Sequence, residues 1–420
     1  MDAKRLGRLR DELERFLGGL TADLGRSDRR RWAATYVRGL LLDGDRKSAG
    51  AMAARLAAVD RAGSDYEQGL QQLVAASPWA DRPVRDRLAR WAAGRAGRGE
   101  RYVVIDDTGF AKQGRHSVGV ARQYSGTLGK VGNCQVAVTA QLAAGGAVVC
   151  LDAELYLPRE WTDDPGRCAA AGVPPTVGFR AKWELALGML ARAKANGVTG
   201  VVLADGDYGG NAKFRAGLEA GGWRYAVAVD RNTAVVGADE DLGPVPEWKG
   251  RGPRTTRPAR VRSGAVTGAA VERFAADRPA AFRAVAWRAG SKGRMRGRFA
   301  AWRVRPAPDL SARMTPGDPC WLLAEWPAGG PGPAKYYFSN LPEGTSVRAL
   351  VRAVKGRWWV EQSYQQMKEE LGLDHFEGRS WRGWHHHLTL VMVAFAFLAA
   401  TADGGREKGA AGPPSRRSAA

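Results

Sequence analysis

The spacing of apolar residues changes near Arg101, and that change commits the chain to a mixed fold. Before it, Leu6, Leu9, Leu13, Phe16 and Leu17 recur every three or four residues, and residues 32–42 and 51–58 continue the helical spacing. After it, Tyr102-Val103-Val104-Ile105 is a β-rich run that ends in Asp106-Asp107-Thr108-Gly109. A Gly- and Lys-rich loop over 110–132 separates this run from two strands, 135–143 and 147–157, joined by Ala144-Gly145-Gly146. Helix 179–195, strand 201–204, helix 211–220 and strand 225–229 then alternate, and Asp205-Gly206-Asp207-Tyr208-Gly209 follows the first of these strands. Three strands, helix, strand, helix, strand predicts an α/β fold.

At 420 residues the chain exceeds one ordinary domain of about 150 residues. Residues 1–98 read as an N-terminal helical domain, with Leu42-Asp43-Gly44-Asp45-Arg46-Lys47-Ser48 as a turn of the kind used to dock on DNA. Ser77-Pro78-Trp79 opens one of its helices, with proline in the first turn. Residues 99–230 form the first part of the α/β core. The span 231–340 interrupts it with a basic, β-rich insertion, in which arginines from Arg251 through Arg254, Arg257, Arg260 and Arg262 to Arg305 meet few acids, and 282–288 and 298–304 alternate like strands. Residues 335–340 make one more strand. The core resumes at 341–402 with a long helix over 345–371, a loop over 374–384 and a buried apolar helix over 385–400. The Gly/Pro/Ser-rich tail, 403–420, is expected to be disordered.

Charge narrows the function. Sixty-four Lys and Arg against 43 Asp and Glu leave +21 and a pI near 10.3, which points to a polyanionic partner, nucleic acid first. The abundance of Arg, Ala and Gly suits a GC-rich gene and discounts that argument without removing it. The N-terminus has no apolar signal core, and the apolar run 388–400 is short for a bilayer, so a cytoplasmic, nucleoid-associated bacterial protein without membrane contact is expected. Cys134, Cys150, Cys168 and Cys320 form no CxxC pair, which argues against a zinc site or a disulfide framework.

Chemistry concentrates in the helix over 345–371. At roughly 100° per residue Arg357 lies about 40° and Lys368 about 20° from Glu361, placing one acid between two cations on one stripe. With Asp106/Asp107 and Asp205 at strand ends, three carboxylate positions converge on the edge where α/β sheets bind ligands. Acids so grouped repel one another unless cations neutralise them, and Mg²⁺, with its preference for carboxylate, water and phosphate oxygens, fits. Two ions about 4 Å apart would serve an in-line phosphodiester displacement. Asp207 is a weaker substitute for Asp205, and Glu369 and Glu370 face solvent. Lys112, His116 and Arg122 in the glycine-rich loop are phosphate contacts. His385-His386-His387 reads as a surface patch at a helix N-terminus, and Trp381 and Trp384 as core.

Asp107-Thr108-Gly109, Ala204 through Gly209, and Arg357-Trp358-Trp359-Val360-Glu361 through Lys368 resemble the DDE-type insertion-sequence transposases of the group with a Tyr-x2-Arg-x3-Glu-x6-Lys signature. Arg357, Glu361 and Lys368 keep its spacing, and the Tyr position is Val354. The likeness extends to Tyr124-Ser125-Gly126, Leu155-Tyr156-Leu157-Pro158, Ser339-Asn340-Leu341-Pro342 and Gly378 through Gly383. It implies an RNase H-like core with a β-rich insertion between the second Asp and the Glu. It further implies Asp107, Asp205 and Glu361 as catalytic metal ligands, with Asp106 as the alternative to Asp107. Arg357 and Lys368 are implied on the DNA backbone, two Mg²⁺ ions with Mn²⁺ as a substitute, and a homodimer on double-stranded DNA. The expected activity is binding of terminal inverted repeats, Mg²⁺-dependent cleavage and strand transfer. A non-catalytic DNA-binding regulator and a Mg²⁺ nuclease without strand transfer are the rival readings.

Overall fold

The computed structural model describes residues 3–60, 65–97, 99–240, 247, 250–251, 268–290, 293–307 and 317–406. Arg254, Arg257, Arg260, Arg262 and the tail beyond 406 lie outside the described residues. Five helices come first: α1 (Ala3–Leu20), α2 (Ser27–Leu41), α3 (Ala49–Asp60), α4 (Tyr66–Ala75) and α5 (Asp81–Arg95). Strands β1 (Arg101–Ala111), β2 (Ala121–Ser125), β3 (Lys130–Ala144) and β4 (Ala147–Leu155) precede α6 (Arg159–Thr162), α7 (Pro165–Ala170) and α8 (Lys182–Ala195). Next come β5 (Val201–Ala204), α9 (Gly206–Gly209), α10 (Ala212–Ala220), β6 (Arg224–Val229), β7 (Ala234–Gly237), β8 (Ala269–Ala270) and α11 (Val271–Ala276). The chain ends with β9 (Arg283–Gly290), β10 (Gly293–Pro306), β11 (Cys320–Trp326), β12 (Lys335–Ser339), α12 (Val347–Lys355), α13 (Trp358–Glu369) and α14 (Trp381–Arg406).

Two compact units divide these elements, residues 1–199 with 358–420 and residues 200–357. In the first, β3 is central, antiparallel to β1 along its whole length on one side and to β2 and β4 on the other. Helix α14 packs on β4, α2, α4 and α5. It is long and apolar enough to cross a membrane, yet Leu388 and residues 390–397 are buried inside the unit. Ionic contacts fix α5 and α8 to β4. Arg85, 3% exposed, donates to Asp152 at 2.6 Å and to the Ala153 carbonyl at 2.7 Å, while Arg82 and Arg192 bridge Asp152 and Glu154 at 2.6–2.8 Å. Burial works to raise the Asp152 carboxyl, and the guanidiniums of Arg85, Arg82 and Arg192 overcome it and hold it low.

In the second unit β5 and β6 are parallel, linked through α9 and α10, and β6, β12, β11, β10 and β7 continue antiparallel. Strand β9 folds back on β10, and this hairpin exposes Arg288, Arg294, Arg296 and Arg298. Lys355 of α12 bonds both carboxylate oxygens of Glu325 at 2.6 and 2.7 Å.

Four expectations change. The long helix over 345–371 is two helices: Gly356 closes α12 by donating to the carbonyls of Arg352 and Ala353, and Arg357 lies in the turn. Glycine is a poor helix former, and the bulky Trp358 and Trp359 start a new helix after it. Strand β1 does not stop at Asp106; pairing with β3 carries it to Ala111, so both aspartates are mid-strand. Pro78 opens no helix; α5 starts at Asp81, because the Trp79 indole is buried and donates to the Leu73 carbonyl at 3.0 Å. The last helix extends from Trp381 to Arg406, so it takes in the end of the expected loop and the start of the expected tail.

Candidate functional site

Adjacent strand residues point to opposite faces, and directly paired residues of neighbouring strands share one. Asp106 is opposite Thr139, and Asp107 is opposite Val138. The Thr139 hydroxyl is 2.6 Å from the Tyr364 hydroxyl of α13, so Asp106 lies on the face that α13 covers. Asp106 is buried, and its carboxylate accepts the Asp107 N–H at 2.9 Å. Asp107 belongs to the other face, where its carboxylate pairs with the Lys182 ammonium at 2.6 Å; Lys182 is the first residue of α8. The Asp107 side chain is 20% exposed and reachable.

Helix α13 is fastened by Ser363, which donates to Gln141 of β3, and by Tyr364. Val360, Ser363 and Met367 make its buried stripe, leaving Glu361 exposed in the first turn, where the helix dipole favours an acid. Lys368, in the last turn, donates to the Gly109 carbonyl at 2.9 Å and lies over the Phe110 ring. Burial lowers its pKa, against the opposing charge of Asp374. Position 109 requires glycine: a Cβ there would collide with the Ser125 hydroxyl.

In the second unit Asp205 caps α9. One carboxylate oxygen accepts the Asp207 and Tyr208 N–H groups at 3.1 and 3.4 Å, and the other stands 3.6 Å from the Arg357 guanidinium. Gly209 closes this turn against β6, where any Cβ would strike the Ala228 carbonyl oxygen. Arg357 therefore shares no helical stripe with Glu361; leaving the helix at Gly356 makes it a partner of Asp205.

Residues 19–321 match the family model described as DDE superfamily endonuclease. The chain belongs to the DDE superfamily endonucleases. Asp107 and Asp205 fall inside the matched segment, and Glu361, Lys368 and Arg357 beyond it. A relative from Microchaete diplosiphon, "Probable transposase for insertion sequence element IS701", is 34% identical over 176 residues. That alignment covers 41% of this chain and 43% of the relative, so the chain spans less than half the length of the curated relative it matches.

Enzymes of the DDE superfamily generally work with a divalent metal. Among the described residues no group of three or more His, Cys, Asp or Glu is gathered around a metal position. The donors do fit a hard cation: Asp107 already attracts an ammonium to its carboxylate, and Asp205 a guanidinium. Of the other expected contacts, Lys112 donates to the Phe376 carbonyl at 2.8 Å and has its pKa lowered by burial, which Asp374 and Glu377 oppose. Together with Arg46, His116, His375 and Arg379 it lines a cavity of about 510 Å³. Arg122 is exposed on β2, Glu369 is exposed at the end of α13 and Glu370 in the turn after it, and Val354 is buried in α12.

The three histidines are not a surface patch. All are buried: His386 stacks on Trp79 at 3.7 Å, and His387 bonds the Tyr36 hydroxyl at 2.8 Å and the Gly372 carbonyl at 3.0 Å. Burial depresses all three, His387 to about 4. The helix begins at Trp381, a turn earlier than the pattern suggested, which carries them into the core. Trp384 is core as expected and Trp381 half-buried. Sequence reasoning passed over Lys182 and Tyr364. Lys182 had one signal, a cation at the first position of a helix, where the dipole disfavours it.

Proposed function

We propose that this DDE superfamily endonuclease is a DNA transposase that binds the terminal inverted repeats of an insertion sequence, cuts them with Mg²⁺, and joins the freed 3′-hydroxyl to target DNA. The observation that carries this reading is that the family match spans both the β1 aspartates and Asp205, with Asp107 and Asp205 each already paired with a cation. Asp107, Asp205 and Glu361 would hold the metal, and Mn²⁺ would replace Mg²⁺. Bound there, the metal supplies a low-pKa water or hydroxyl nucleophile and charge stabilisation for the leaving oxygen. The protein's own groups do the rest. Lys368 and Arg357 orient the DNA backbone, Lys112 and Arg122 hold flanking phosphates, and the β9–β10 arginines add sequence-independent contact.

Asp107 and Asp106 are the two choices for the first ligand: Asp107 is reachable and carries a counter-cation, and Asp106, buried, shares the face that α13, the helix of Glu361, covers. An RNase H-like core over 99–230 and 341–402, an insertion over 231–340, DNA binding by 1–98 and a homodimer on paired ends complete the proposal. The net +21 and the exposed hairpin arginines support a DNA partner.

The test is an end-labelled duplex carrying the element's termini, incubated with Mg²⁺ and wild-type, Glu361→Gln, Asp107→Asn or Asp106→Asn protein. Metal-dependent cutting, lost in the Glu361 and Asp107 variants, supports the proposal, and joined products separate transposition from nicking. Binding without cutting by the wild type would overturn it in favour of a DNA-binding regulator. Loss in Asp106→Asn with activity retained in Asp107→Asn would reverse the assignment of the first ligand.

A further inference from the structure

We infer that Lys182 is the resident counter-ion of Asp107, a positioning residue that holds this carboxylate oriented and that an incoming divalent cation must displace. The inference rests on the proposed metal role of Asp107.

Three observations carry it. The ammonium sits 2.6 Å from one Asp107 oxygen, with both side chains only partly exposed, 30% and 20%. Lys182 is the first residue of α8, where the positive end of the helix dipole disfavours a cation, so its placement is not a contribution to the helix. The helix start is stabilised separately, by Glu184 accepting the Ala181 N–H at 2.7 Å. Finally, the same ammonium lies 5.8 Å from the centre of the Tyr156 ring, whose negative face attracts a cation and would favour it on leaving Asp107. A lysine on a flexible four-carbon stem is suited to such an exchange.

A divalent cation on Asp107 would stand beside this positive charge and be repelled by it. Removing the charge should therefore tighten metal binding, by about tenfold for one like charge at contact range in a partly solvated site. Mn²⁺ affinity is measured directly, from the electron paramagnetic resonance signal of the free ion, in the full chain without DNA. Wild type, Lys182→Gln, Lys182→Arg, Asp107→Asn and Lys182→Gln/Asp107→Asn are compared, with thermal unfolding as the control for folding.

Lys182→Gln should bind the Asp107-dependent Mn²⁺ about tenfold more tightly, and Lys182→Arg should stay near the wild type because the charge remains. In the double variant the gain should vanish. Unchanged or weaker binding by Lys182→Gln, with Asp107→Asn losing an ion, overturns the inference and leaves the metal role of Asp107 standing. If Asp107→Asn loses no ion, the metal role itself fails and the inference with it. Should Lys182→Gln fold poorly, Lys182→Met replaces it under the same criteria.

Discussion

In the first unit Asp107 is balanced by a single side chain, the Lys182 ammonium, whereas in the second Asp205 is anchored through one oxygen to backbone amides and turns the other toward Arg357. The contrast extends to other charges. The first unit buries Arg85 with Asp152 and encloses three histidines, while the hairpin of the second displays its arginines. A charge held by a side chain is exchangeable, one held by backbone amides is fixed, and a buried one is part of the fold. Substitutions should therefore affect chemistry or stability according to how each charge is held.

The largest expected effect falls on chemistry. Asp107→Asn and Asp205→Asn should each lower the cutting rate about 10³-fold or more, the scale of losing a preorganised electrostatic group at a reacting centre. Asn caps a helix as well as Asp, so Asp205→Asn should keep the wild-type unfolding curve. A large loss of stability would break the distinction between cap and charge.

Next comes the buried network. Arg85→Met leaves Asp152 without its closest buried cation and should cost about 3–5 kcal/mol in urea unfolding. Arg294→Ala on the exposed hairpin should change stability by less than about 0.5 kcal/mol. Equal effects would erase the contrast between the two units.

His387 adds a pH dependence of known sign. Its pKa is depressed to about 4 from 6.5, first by burial, so the folded state favours the neutral ring. That stability is complete above pH 6.5 and is lost as pH falls through 4, amounting to about 3 kcal/mol at the acid limit. Measured as melting temperature against pH, His387→Gln should flatten the fall between pH 6.5 and 4 relative to wild type. A smaller loss tests the cap: Asp205→Ala should cost about 1 kcal/mol beyond Asp205→Asn.

Much of the fold was legible because its patterns are local. The switch of period at Arg101, the Ala144-Gly145-Gly146 turn and the strand before Asp205 all correspond to elements of the structure. Misreadings came where tertiary context overrode a local pattern. Helical spacing continued across Gly356 in the sequence, yet the chain breaks there and sends Arg357 to Asp205. Three consecutive histidines read as a patch at a helix N-terminus, but the helix starts a turn earlier and each buried ring finds a backbone carbonyl within 2.9–3.0 Å. The Asp106/Asp107 pair stood out by its place after a β-rich run, whereas Lys182, the partner of Asp107, lies 75 residues away along the chain, beyond the reach of spacing arguments.

The cap at Asp205 also bears on how such a chain ages. Asp and Asn codons differ by a single base, and the amides of Asp207 and Tyr208 can donate to the side-chain oxygen of either. One point change at this codon would remove the charge while leaving the turn, the sheet behind it and the basic hairpin in place. Under the proposed function, a copy altered in this way would keep its fold and its basic surface while lacking one metal ligand, so its inactivity would leave no sign of misfolding.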